Sequence, residues 1–66
     1  MIVITINGKE HPFTKTTLQE LLVERNLAIE ICAVEVNTIL IPHKDRDKYK
    51  LQDGDKVEIV SLVGGG

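Results

Sequence analysis

Aromatic residues are nearly absent from this sequence. Phe13 and Tyr49 are the only two, and there is no tryptophan, so a core has to be assembled from Ile, Val and Leu. Cys32 is the single cysteine, which excludes an intrachain disulfide and a cysteine-cluster metal site and suits a reduced, cytoplasmic setting. No apolar stretch approaches the roughly 18 residues that span a bilayer. The opening "MIVITING" has neither the basic leader nor the long apolar run of a signal peptide, so neither membrane attachment nor export is expected. A basic excess is also missing. Eight Lys and Arg stand against ten Asp and Glu, the reverse of the surface that a generic nucleic-acid binder carries. A chain of 66 residues has room for one modest core and one domain.

What is present is strongly patterned. "MIVITI" alternates Ile2, Ile4 and Ile6 with Val3 and Thr5, the period of a strand. Asn7-Gly8 follows, a hairpin signal because both residues tolerate positive φ. "KEHPFT" is the returning strand, and Pro12, lacking a backbone donor, assigns it to a sheet edge. In "TKTTLQELLVERN", Leu18, Leu21 and Leu22 form an apolar stripe at helical spacing. Thr17 with Glu20 fits a capping box, with Thr16 and Gln19 as the competing register. Asn26 suits the left-handed residue that ends a helix.

"CAVEVN" predicts a third strand with Val34 and Val36 on one face and Glu35 on the other. "TILIP" is a short apolar segment stopped by Pro42. "HKDRDKYKLQ" reads as an exposed connection with at most a helical turn, its Lys44, Arg46, Lys48 and Lys50 interleaved with Asp45 and Asp47. Asp53-Gly54-Asp55 makes a turn, and "KVEIVSLV" is the last strand, apolar enough to be central. One amphipathic helix covers one face of such a sheet. If the last strand runs parallel to the first, the class is α+β, a β-grasp: a mixed sheet of four or five strands with one main helix. The expected core is Ile2, Ile4, Ile6, Leu18, Leu21, Leu22, Val34, Val36, Val57 and Ile59. Residues 1–63 would form the domain and residues 64–66 a flexible glycine tail.

These residues resemble the thiamine-biosynthesis sulfur carrier (ThiS) family of ubiquitin-like β-grasp proteins over essentially the whole chain. The resemblance rests on Leu21-Leu22, on Val34-x-Val36-Asn37 with Pro42 five residues later, and on Leu51-x-Asp53-Gly54-Asp55-x-Val57-Glu58-Ile59-Val60. Val63-Gly64-Gly65-Gly66 completes it. Three positions depart from the family pattern. Thr38 replaces a glycine, His43 an arginine, and Arg46 a position that is often aromatic.

The resemblance implies a protein cosubstrate and not an enzyme. An adenylyltransferase related to ubiquitin-activating enzymes would join AMP from ATP to the Gly66 carboxylate. A sulfur donor protein would convert the adenylate to a thiocarboxylate, and thiazole synthase would take the sulfur for the thiazole ring of thiamine. No cofactor would be bound by the carrier itself, and the ATP belongs to its partner.

The chemistry accounts for the glycines. A carboxylate acylates poorly, and a mixed anhydride with AMP supplies a leaving group. With Gly66 as the terminus, three extended residues reach roughly 10 Å beyond the strand, at about 3.3–3.6 Å each. Gly64 and Gly65 have no Cβ, so backbone can pass close to a crowded nucleotide pocket. Away from the tail, Glu58 should point out of the core. Alternation then turns Val60 and Leu62 outward, and Val3 is expected to join them in an apolar partner-binding patch.

The remaining reactive residue types have plainer readings. Cys32 lies in a core strand and reads as a small buried hydrophobe. His11 and His43 are far apart with no cysteine near them and read as surface residues, and no metal site is expected. Asp53 and Asp55 flank a glycine as turn residues do. Within the class, the small subunit of molybdopterin synthase and a ubiquitin-like protein modifier are the alternatives. Outside it, the alternative is a β-grasp interaction module with an inert tail.

Overall fold

The computed structural model describes residues 1–28 and 31–62. The chain runs β1 (Ile2–Ile6), β2 (Lys9–Phe13), α1 (Leu18–Glu24), β3 (Cys32–Val36), β4 (Ile39–Leu40), a 3-10 turn at His43–Asp45, and β5 (Lys56–Ser61). The five strands form one sheet in the order β2-β1-β5-β3-β4. β5 lies at the centre, parallel to β1 and antiparallel to β3. This is the β-grasp arrangement, and β2, which carries Pro12, is an edge strand as expected.

Local chemistry explains where the elements begin and end. Asn7 (φ 48°) and Gly8 (φ 87°) make the two-residue β1–β2 turn, which closes on the Ile6–Lys9 pair. The α1 cap uses the Thr17–Glu20 register. The Glu20 amide donates to Thr17 Oγ1 at 3.2 Å, and the Thr17 amide donates to Glu20 Oε1 at 2.8 Å. The Thr16 amide also reaches that carboxylate, at 3.0 Å. The backbone amides of Thr17 and then Thr16 hold the Glu20 carboxyl below its ordinary range. At the other end Asn26 is left-handed (φ 60°). The Leu27 amide bonds the Leu22 carbonyl at 2.8 Å and the Asn26 amide bonds the Val23 carbonyl at 3.1 Å. This is the paired pattern of a Schellman stop, with asparagine in the place glycine usually takes.

The core lies between α1 and one face of the sheet. Ile4, Ile6, Leu18, Leu21, Leu22, Val34, Val36 and Val57 are buried, as their spacing predicts. Ile2 and Ile59 are only partly buried and pack against the margin. Phe13, Cys32, Ile41 and Leu51 complete the buried set. The connection after β4 closes onto the start of α1. The Leu18 amide bonds the Tyr49 carbonyl at 2.9 Å and the Gln19 amide the Arg46 carbonyl at 3.0 Å.

One residue of that connection departs from expectation. Arg46 is not part of a solvated loop but is buried, with 4% of its surface exposed. Its Nη2 donates to the Cys32 carbonyl at 2.7 Å, and Nη1 lies 3.7 Å from Cys32 Sγ and 3.5 Å from His43 Nδ1. Its Nε has no hydrogen-bond partner among the described residues. The long aliphatic stem lets the side chain fill apolar space while the guanidinium ties the connection to β3. Among the described residues, no helix is long and apolar enough to cross a membrane.

Candidate functional site

The central strand is the part of the fold that leads toward the glycine run. β5 is held on both sides. Its pairing with β3 runs from Val36–Val57 to Cys32–Ser61, and the Leu62 amide continues it by bonding the Ile31 carbonyl at 2.8 Å. On the other side β1 stops early, its pairing ending at Ile6–Val57. The Asn7 side chain takes over there. Asn7 Oδ1 accepts from the Ile59 amide at 2.8 Å, and Asn7 Nδ2 donates to the Ile59 carbonyl at 3.1 Å. A side-chain amide thus substitutes for one more residue of strand.

The start of β5 is secured in a similar way. Asn37 Oδ1 accepts from the Lys56 amide at 3.0 Å, and its Nδ2 donates to Asp55 Oδ1 at 2.9 Å. Asp55 Oδ2 accepts from the Gln52 amide at 2.8 Å, and Asp53 Oδ1 accepts from the Val3 amide at 2.7 Å. Both aspartates therefore serve the turn, in keeping with their spacing around Gly54. The signal for the two asparagine brackets was their placement directly after a strand. For Asn7, followed by Gly8, it points to a turn; Asn37 reads only as the end of "CAVEVN", and neither position hints at bonds to distant segments.

The sheet face turned away from α1 carries the predicted apolar residues. Val3, Val60 and Leu62 are exposed, at 39%, 57% and 59%. Their grouping differs from expectation. Because Thr5 pairs with Lys56, the parallel register sets Val3 level with Gly54, whose amide bonds the Val3 carbonyl at 2.8 Å. Val60 lies beyond the end of β1. Val3 is thus at the far end of the face from Val60 and Leu62. The neighbours of Val60 come from β3 and β4 instead: Ala33 stands opposite Val60, and Glu35 stands between Glu58 and the exposed Leu40.

Gly64, Gly65 and Gly66 lie outside the described residues. Cys32 is buried and free of any disulfide. A shallow depression bordered by Gln19, His43, Lys44 and Asp47 lies on the α1 side, away from the face just described.

The family model named ThiS family matches residues 4–66. The chain belongs to the ThiS family. It is similar to the sulfur carrier protein ThiS of Bacillus subtilis, 37% identical over 96% of this chain and 98% of that one. It is also similar to a thiazole synthase of Paramagnetospirillum magneticum, 38% identical over 96% of this chain, although it spans only 20% of that longer protein. Among solved structures, the crystal structure of the thiamine biosynthesis protein ThiS of Geobacter metallireducens superposes with a TM-score of 0.82. That match has 30% identity and covers 98% of this chain and all of that one. Membership in this sulfur-carrier family, with the ubiquitin-like β-grasp, agrees with the resemblance carried by the Asn37 to Gly66 pattern. The family match includes the glycine run.

Proposed function

We propose that the protein carries sulfur for thiamine thiazole synthesis as a thiocarboxylate at Gly66. The observation that carries this reading is a ThiS-family match extending through residue 66, on a fold whose central strand leads toward that end. The Gly66 carboxylate attacks the α-phosphorus of ATP on an adenylyltransferase related to ubiquitin-activating enzymes. Pyrophosphate leaves and an acyl-adenylate remains. A sulfide-level nucleophile from a donor protein then attacks the acyl carbon and expels AMP, leaving the thiocarboxylate. Thiazole synthase accepts that sulfur. The carrier is consumed and regenerated as a cosubstrate, Gly64 and Gly65 giving the carboxylate passage into each pocket.

Val60 and Leu62 are the proposed contacts with these partners, with Val3 a separate contact at the far end of the face. Exposed apolar side chains on the open side of a sheet fit a docking role. The similarity to thiazole synthases favours the thiazole pathway over molybdopterin synthesis. The cytoplasm, where both ATP and a reduced thiol pool are at hand, is the proposed setting.

Intact-mass spectrometry after incubation with ATP and the adenylyltransferase tests the cycle. The expected result is a mass gain equal to AMP, replaced by exchange of one oxygen for sulfur when a donor is added. An unmodified mass under conditions that load another ThiS would overturn the proposal. Isopeptide conjugates of higher mass, in place of the thiocarboxylate, would assign the chain to protein modification.

A further inference from the structure

Antiparallel pairing sets Glu35 and Glu58 directly opposite each other on neighbouring strands. Both side chains are exposed. Neither carboxylate has an ion-pair partner among the described residues. Like charges facing one another across a strand pair weaken a sheet, and nothing in the fold requires them there. Their surroundings are apolar toward the tail and toward β4. Val60 and Ala33 form the next row toward the tail, and Leu40 stands opposite Glu35 on the outer side. Val60 and Leu40 are 57% and 59% exposed.

Lys56 is on this face too, one row from Glu58 on the side away from Val60, because alternation about the buried Val57 turns both outward. The basic connection containing Lys44, Lys48 and Lys50 is hydrogen-bonded to the start of α1, on the covered side of the sheet. An approaching partner therefore meets two carboxylates on the open face, with apolar side chains toward the tail and toward β4 and Lys56 on the other side.

We propose that this face docks a protein surface that presents an arginine to the Glu35–Glu58 pair, beside an apolar patch that meets Val60 and Leu40. A guanidinium has donors on two edges and can bridge two carboxylates, which a compact ammonium does less well. The same-face rows of a strand are spaced by about 7 Å, two residues at roughly 3.3 Å each. The partner's arginine therefore lies about that far from its apolar contact with Val60. The two carboxylates form no ion pair in the free carrier, and an arginine from the partner relieves their repulsion in the complex. This inference rests on the docking role proposed above, with thiazole synthase as the partner.

Titration of the full carrier with purified cognate thiazole synthase tests it, using Glu35→Gln, Glu58→Gln and the double variant beside Val60→Asp. The double variant is expected to bind about thirtyfold more weakly or worse, as truncating one side of a hydrogen-bonded interfacial charge pair does. Its binding should depend less steeply on salt than wild type. Its Tm should equal or exceed wild type, because a repulsion has been removed. If the glutamine variants bind as wild type while Val60→Asp weakens binding, the acidic pair is not a contact and this inference fails, though the docking face stands. If Val60→Asp also binds as wild type, the docking face itself is wrong. A fall in Tm that parallels the loss of binding would make the pair a structural element and overturn the inference.

Discussion

The side chain of Asn7 takes both backbone hydrogen bonds that Ile59 offers toward β1, accepting its amide at 2.8 Å and donating to its carbonyl at 3.1 Å. A turn residue thereby holds the central strand past the point where β1 ends. Asn7→Gly keeps the left-handed turn but removes this bracket. It is expected to destabilise the domain by about 1–2 kcal/mol, the net of two lost hydrogen bonds. Amide exchange should quicken at Ile59 more than at Val34. Unchanged exchange at Ile59 would show that the bracket does not hold β5.

The core leaves little margin. Leu22 is fully buried among the α1 and sheet side chains. Leu22→Ala should cost roughly 2–5 kcal/mol, a large share of the total for so small a domain. Urea titration checks this, and a midpoint equal to wild type would refute the packing described.

Thr38 has φ 72° in the two-residue turn between β3 and β4. A β-branched residue is strained in that region, by on the order of 1–3 kcal/mol. Thr38→Gly relieves the strain but frees the unfolded chain, at about 0.4–1 kcal/mol. The expected net gain is about 1 kcal/mol, seen as a higher urea midpoint at unchanged slope. A lower midpoint would mean that the threonine side chain makes a compensating contact.

The helix cap carries a pH dependence. Hydrogen bonds from the Thr17 and Thr16 amides lower the folded pKa of Glu20 below its ordinary value of 4.5. Protons then bind the unfolded chain more readily. The cap's contribution is present above that value and is lost as pH falls through the lower folded pKa. Glu20→Gln is expected to melt below wild type near neutral pH, with the gap narrowing as pH falls below 4.5 and through the lower folded value. A gap independent of pH would dissociate the carboxylate from the cap.

The tail variants separate reach from passage. Deleting Gly66 moves the carboxylate back one residue while keeping a glycine end, so adenylation should fall sharply. Gly65→Val keeps the length and adds a branched side chain, so it should also fail, by exclusion from the pocket. Both should melt as wild type does. Cys32→Ser, at a buried position of β3, should still load sulfur at the terminus. Loss of loading in a folded Cys32→Ser protein, with the glycine variants loading normally, would move the sulfur to the thiol.

Much of this was legible in the sequence because it depends on residues close together in the chain. Alternation set the inward faces of β1, β3 and β5, the Asn7-Gly8 pair set the first hairpin, and Thr17 with Glu20 set the start of α1. Each is a choice a segment makes from its own φ/ψ preferences and the side-chain period, and the family pattern through Gly66 is read the same way. Other features were settled only when distant segments met. Arg46 is polar and sits in a charged run, yet it is buried because the connection folds against the start of β3, where the Cys32 carbonyl accepts its guanidinium. The parallel register of β1 and β5 set Val3 apart from Val60, and the antiparallel register of β3 and β5 set Glu35 against Glu58. Pattern within a strand determines which face a residue takes. Its level along the sheet, and so its neighbours, follows from pairing between strands distant in sequence, which is set by how the whole core closes.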